Sequence, residues 1–265
     1  MYSTPTLVRK YLQYYYKAAN GKGHGVHSPF VYNFITKVLN NNQQDSFSNT
    51  IEAYRDTLLA NNTFVEVWDK GAGSRKLANN KRKISAIAKA ALKPKKYSRL
   101  LGSIVSYFKP SLVVELGTSL GITTSYLAAA NQEGKVITME GAPNVANEAR
   151  KTFAQLGLQN IELLEGDFDE ILPPFMNNSS PIGLAYIDGN HKLEPTIRYF
   201  NYLKEKSNED AVFIFDDIHW SEEMETAWAE IKKDPAVTLT IDLFFIGLVF
   251  FRKAQQEKEH FIIRY

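Results

Sequence analysis

The stretch from Leu112 to Ala130, "LVVELGTSLGITTSYLAAA", decides the fold. A continuous apolar run carries Glu115, meets Gly117 and Gly121 four residues apart, and opens into a helix-like segment. The reading is a buried strand over Leu112–Leu116, a tight loop, and a helix from about Ile122 to Ala130. A side chain at Gly117 would block close approach to the backbone. The start of the following helix offers free N–H groups to an anion.

Downstream, apolar runs alternate with amphipathic segments. Strands are expected at Lys135–Met139, Ile161–Leu164, Ile182–Ile187 and Val212–Phe215, with helices at about Asn144–Leu156, through Tyr199 and Leu203, and around Glu222–Lys232. A short helix after the third strand should stop before Pro173. "VTLTIDLF" and "IGLVFF" then follow with no helix between them. Phe245 and Gly247 are the candidate turn residues of that hairpin, so one strand runs antiparallel. Alternation of this kind predicts an α/β, Rossmann-like, doubly wound sheet of seven strands, closed by a terminal antiparallel hairpin. A mainly helical N-terminal extension over residues 1–95 would precede a cofactor-binding domain over 96–265.

Bulk composition narrows the class. The chain has 265 residues, 44% hydrophobic and 23% charged, which is ordinary for a globular protein. With 31 basic and 29 acidic residues it does not read as a nucleic-acid binder. Cysteine is absent, which removes disulfides and thiolate chemistry together. The N-terminus lacks a signal layout, and "LFFIGLVFF" is too short to span a bilayer. A cytoplasmic protein without membrane contact is expected.

Three cofactors compete for the glycine loop. A phosphate-cradling loop needs Gly-Lys-Ser/Thr, which does not follow here. A dinucleotide fingerprint needs glycine at position 119, where Ser119 leaves a pyrophosphate less room. The remaining pattern, Glu115-x-Gly117-x-x-x-Gly121, resembles motif I of S-adenosylmethionine-dependent methyltransferases, and five βα units closed by a hairpin resemble their class I layout. Glu140 in "VITMEGAP" ends the second strand, where a carboxylate accepts both hydroxyls of a ribose; this suits S-adenosylmethionine and NAD equally. The resemblance implies a donor site made by Glu115, Gly117, Thr118, Ser119, Gly121, Glu140, Gly141 and Asp188. It also makes Asp167 of "EGDFDE" the acceptor for the adenine amine, with Phe168 beside the ring. A plain helix cap is the other reading of Asp167.

"YIDGNHKLEP" and "FIFDDIHWSEEM" follow the fourth and fifth strands. Asp188, Asp216 and Asp217 should therefore converge, and three carboxylates together call for a divalent cation such as Mg²⁺. The arrangement resembles metal-dependent small-molecule O-methyltransferases of the catechol, caffeoyl-CoA and macrolide or aminocoumarin sugar types, with an Asp-Asp pair as in the sugar enzymes. "DGNH" resembles the Asp-x-x-His of the macrolide sugar group, which makes His191 the candidate base, with Asp188 beside it. An ordinary imidazole titrates near neutrality, as proton removal requires. Ser221 reads as the cap of the next helix, with Glu222 and Glu223 in its first turn.

The N-terminal third is less explicit. "DKGAGS" imitates a cofactor loop, but the preceding "FVEVW" carries a charge, so it reads as a loop before a helix. Ten basic residues lie between Arg75 and Arg99, with no acid between Asp69 and Glu115. They read as a solvated helix face backed by "ISAIAKAAL", with an anionic substrate or RNA phosphates as the competing reading. Ser28 with Pro29 should start a helix, and His24 and His27 sit where a lid would reach an active site. The resemblance implies that N-terminal helices cover the acceptor pocket or form homodimer contacts. The expected function is Mg²⁺-assisted O-methylation of a small-molecule hydroxyl. An NAD(P)-linked oxidoreductase, a metal-independent or RNA methyltransferase, and a non-catalytic module on the same fold are the competing readings.

Overall fold

The computed structural model describes residues 1–23, 26–41, 46–67, 81–255 and 257–265. His24 and the "DKGAGS" loop lie outside the described residues.

In chain order the helices are α1 Thr4–Lys17, α2 Pro29–Phe34, α3 Ser46–Ala60, α4 Ile84–Ala91, α5 Lys95–Phe108, α6 Ile122–Ala130, α7 Pro143–Gln155, α8 Phe168–Asn178, α9 Leu193–Glu205 and α10 Glu222–Lys233. A π-helical turn, Ile35–Leu39, continues α2. The strands are β1 Phe64–Glu66, β2 Lys81–Lys83, β3 Leu112–Leu116, β4 Lys135–Glu140, β5 Ile161–Glu165, β6 Ile182–Ile187, β7 Ser207–Asp216, β8 Leu239–Asp242, β9 Ile246–Phe250 and β10 Glu259–Ile262. The chain divides into two compact units, Asn42–Asn178 and Met1–Asn41 with Ser179–Tyr265.

In the unit Asn42–Asn178, β3, β4 and β5 lie side by side and parallel, so their carboxyl ends share one edge. β3 is buried along its whole length, as a central parallel strand should be. Ile84 and Ala88 of α4 pack with Ile51 and Leu58 of α3 and with Tyr126 of α6. That burial is why "ISAIAKAAL" forms a helix.

In the other unit the strand order is β6-β7-β9-β8-β10. β6 and β7 are parallel, while β9 runs antiparallel to both β7 and β8. The α/β alternation is that of the expected Rossmann-like class.

Four details differ from the sequence reading. An eighth main strand, β10, adds parallel to β8, so the hairpin does not end the sheet. Gly247 is not a turn residue but lies inside β9 opposite Phe215 and Asp242. A Cβ there would come within 2.8 Å of the Trp228 ring, so glycine is needed for packing. The turn falls at Leu243–Phe245, with Phe244 at φ 71°. Helix α8 runs through Pro173 and Pro174, because buried Leu172 and Met176, four residues apart, anchor its inner face. Finally, Phe64–Glu66 is a strand paired antiparallel with Lys81–Lys83, two elements that the sequence reading did not place.

Candidate functional site

The cofactor-type residues assemble at the carboxyl ends of β3, β4 and β5. Gly117 stands at φ 108°, Ser119 at φ 49° and Gly121 at φ 80°. Three left-handed residues within five fold the chain back tightly after β3. The Gly117 and Thr118 N–H groups both donate to the Met139 carbonyl, at 3.1 and 3.2 Å, which ties the loop to β4. Gly121 is required by packing, because a Cβ would lie 2.6 Å from Phe153 Cε1 of α7.

Glu140 is the centre of this arrangement. Its Oε2 accepts the Ser119 N–H at 2.9 Å and its Oε1 accepts the Ala142 N–H at 2.9 Å. Its carbonyl accepts the Gly166 N–H at 3.0 Å, which brings the start of the third loop alongside. The carboxylate is thereby held by two backbone donors and is half-buried. Gly141 faces the Gly166 carbonyl across 3.7 Å from where a Cβ would stand.

Glu115 sits deeper, fully buried in β3. Its Oε2 accepts from Thr124 at 2.5 Å and from Thr138 at 2.7 Å, and Thr118 joins Thr138 at 2.6 Å. This hydroxyl network places Glu115 beneath the loop. Asp167 stands at the N-terminus of α8, where its Oδ1 accepts the Asp169 N–H at 3.0 Å. The helix-cap reading therefore holds for Asp167, and Phe168 begins the helix.

The acidic loops belong to the other unit. After β6, Asp188 accepts the Tyr186 hydroxyl at 2.8 Å, and His191 Nε2 lies 3.5 Å from Asp188 Oδ1. Asn190 at φ 68° and His191 at φ 40° are two consecutive left-handed residues without glycine. Such backbone strain is tolerated where a loop must aim a side chain. Asp216 is the buried last residue of β7, and Asp217 follows at φ 54° with its N–H on the Phe245 carbonyl at 2.7 Å. Ser221 caps α10 as expected, accepting the Met224 N–H at 3.2 Å.

Asp188, Asp216 and Asp217 are the expected Mg²⁺ ligands. Among the described residues no group of three or more His, Asp or Glu side chains is arranged to hold a metal ion. Asp217 takes a left-handed conformation directly after Asp216, and Asp188 is engaged with Tyr186 and His191.

The sequence reading missed the cluster around His219. Its Nδ1 lies 3.0 Å from Glu225 and its Nε2 2.9 Å from Asp242, and its ring stacks on Phe244 at 5.1 Å. Burial acts to lower its pKa, but the two carboxylates outweigh burial and hold it above the usual value. Glu225 also receives Lys10 at 2.8 Å and the Tyr2 hydroxyl at 2.8 Å. The signal available beforehand was the glutamate six residues after His219, on the first turn and a half of α10.

Residues 114–218 match the family model described as a methyltransferase domain. Over 111 residues the chain is 29% identical to an O-methyltransferase, imqG, of Aspergillus flavus, covering 40% of this chain and 44% of that protein. Over 76 residues it is 36% identical to catechol O-methyltransferase B of Danio rerio, covering 28% and 29%. The chain thus spans less than half the length of these relatives. The crystal structure of an O-methyltransferase from Bacillus cereus in complex with SAH shares the fold. Its TM-score is 0.57 at 18% identity, over 83% of this chain and 97% of that one.

Proposed function

We propose, from the match of residues 114–218 to a family model described as a methyltransferase domain, that this protein is a class I methyltransferase that transfers a methyl group from S-adenosylmethionine to a hydroxyl oxygen of a small molecule. The observation that carries the reading is Glu140, held by the Ser119 and Ala142 N–H groups beside the glycine loop. A carboxylate fixed this way is ready to accept a pair of ribose hydroxyls. NAD chemistry is disfavoured, since Ser119 occupies the glycine position of a dinucleotide loop.

When bound, the donor supplies a methyl carbon already activated by its sulfonium, so no covalent enzyme intermediate is needed. In this reading the turn Gly117–Thr118–Ser119 flanks the donor, Gly141 lies on its ribose side, and Asp167 and Phe168 are assigned to its adenine end. Glu115 supports the loop from below. On the acceptor side His191 takes the hydroxyl proton as the oxygen–carbon bond forms and the carbon–sulfur bond breaks, its electron pair staying on sulfur. Asp188 orients the imidazole. No step is assigned to a metal, and Asp216 and Asp217 receive no ligand role.

Calorimetric titration with S-adenosylmethionine and with NADH, each with and without chelator, tests this. The expected result is S-adenosylmethionine binding that Glu140→Ala abolishes and chelation leaves unchanged. Preferential NADH binding, or unaltered donor affinity in Glu140→Ala, overturns it. Methyl transfer lost on chelation and restored by Mg²⁺ would return a metal to the mechanism.

A further inference from the structure

Helix α6 leaves the glycine loop directly, and two carboxylates grip it from opposite sides. Glu115 of β3 takes the Thr124 hydroxyl. Glu52 of α3 takes the Tyr126 hydroxyl at 2.8 Å. Residues 124 and 126 stand about 200° apart around a helix, so the two bonds together fix its rotation. Burial pushes the Tyr126 phenol up to about 12, which keeps it protonated and able to donate.

Glu52 is itself held. Arg55, three residues on, lies 3.1 Å from its carboxylate and is only 7% exposed. The guanidinium also donates to the Lys93 carbonyl at 2.7 Å and to the Ser98 hydroxyl at 3.0 Å, which locks α3 to the start of α5. Ser48, one turn before Glu52, meets the Tyr126 hydroxyl at 3.0 Å and accepts from Arg99 of α5 at 2.9 Å. A buried ion pair adds little net stability over apolar residues of like size, because desolvation offsets the attraction. What it does supply is direction, since a fixed carboxylate accepts a hydroxyl only from a narrow range of positions.

The apolar packing leads to the same two loops. Leu120 and Ile122, on either side of Gly121, are buried in one cluster with Ile51 and Leu58 of α3 and with Ala142 and Val145 after β4. Ser119 and Ala142 are the residues whose N–H groups hold Glu140. Helix α3 therefore packs behind both backbone donors of the candidate ribose carboxylate, although it lies wholly outside residues 114–218.

We propose that Glu52 and Tyr126 are positioning residues for the donor site. Their bond sets the rotation of α6, that rotation sets the direction of the Ser119 N–H, and the N–H orients Glu140. The segment carrying Glu52 is then a working part of donor binding rather than a cover for the acceptor. The link to donor affinity rests on the methyl-transfer reading, whereas the link to loop geometry does not.

Hydrogen exchange of the ligand-free full chain tests it, because it needs no cofactor. Tyr126→Phe removes one oxygen and leaves the ring in place. The Ser119 and Ala142 amides should then exchange about tenfold faster, while Val114 of β3 keeps its rate. Glu52→Gln keeps an oxygen for the phenol, so it should accelerate those amides less. In titration calorimetry Tyr126→Phe should weaken S-adenosylmethionine binding about fivefold. Unchanged exchange at Ser119 and Ala142 would overturn the proposal. Equal acceleration at Val114 would overturn it too, since the bond would then serve stability alone. Selective acceleration in a chain whose wild type binds no S-adenosylmethionine would support the positioning role and overturn the methyl-transfer reading.

Discussion

Glu140 bridges two loops through the Ser119 backbone: the carboxylate at the end of β4 accepts, at 2.9 Å, the N–H of the residue at the tip of the turn after β3. Parallel pairing of β3 with β4 puts both strand ends at one edge, and the left-handed Ser119 turns its N–H inward. Strand register, loop conformation and candidate ribose site are therefore one geometric unit.

Replacing Glu140 by Gln tests that unit. The amide keeps the size but loses the charge and one acceptor oxygen. Charge-assisted bonds contribute about 1.5–3 kcal/mol each, so donor affinity should fall roughly 10- to 100-fold. Titration calorimetry measures it; an unchanged dissociation constant would contradict the assigned role.

Gly121→Ala should destabilise the fold rather than act on the donor directly. Its Cβ would meet Phe153 Cε1 at 2.6 Å, and the residue sits at φ 80°. Overpacking with an unfavourable backbone should cost about 1–3 kcal/mol. Thermal melting should drop, and Phe153→Leu should recover part of the loss. If the double variant melts no higher than Gly121→Ala alone, the ring is not what excludes a side chain.

Much of this architecture was legible because burial and period coincide. Leu112–Leu116 is apolar but for Glu115 and is buried throughout, and Ile182–Ile187 is likewise buried along its whole length. The errors arose where tertiary packing outweighed a local preference. Gly247 resembles a turn residue but serves Trp228, and Pro173 resembles a stop but rides on the Leu172 and Met176 anchor. The cluster around His219 was hidden for another reason. Lys10, Glu225 and Asp242 are separated by up to 232 positions from one another, and no local pattern joins them. The Gly117 loop and Glu140, by contrast, follow two adjacent parallel strands, and the alternation of elements made that proximity readable.

The cluster anchoring α1 should respond to pH in opposite directions at its two ends. For Glu225, burial acts to raise the pKa, but Lys10, His219 and Tyr2 outweigh it and lower it. Stability from that group is present above the ordinary value of 4.5 and lost as pH falls through the lowered one. His219 is raised, so its contribution is complete below the ordinary value of 6.5 and is lost as pH rises through the raised value. Wild type should therefore melt above His219→Gln by about 2–4 °C near pH 6, for a net effect of roughly 1 kcal/mol. That gap should close as the solution becomes alkaline. A gap independent of pH would mean that His219 contributes packing alone.

The assignment of His191 separates chemistry from binding. Its loop spends two left-handed non-glycine residues, Asn190 and His191, to hold the ring beside Asp188. If the ring removes the acceptor proton, His191→Gln should cut kcat by about 10²–10⁴-fold while leaving S-adenosylmethionine affinity intact. Asp188→Asn should reduce kcat less, because it loosens the orientation of the imidazole without removing it. Single-turnover methyl transfer, with donor binding measured separately, resolves the two effects. Equal losses of donor affinity and turnover in His191→Gln would place the histidine in the binding site and leave proton removal to another group.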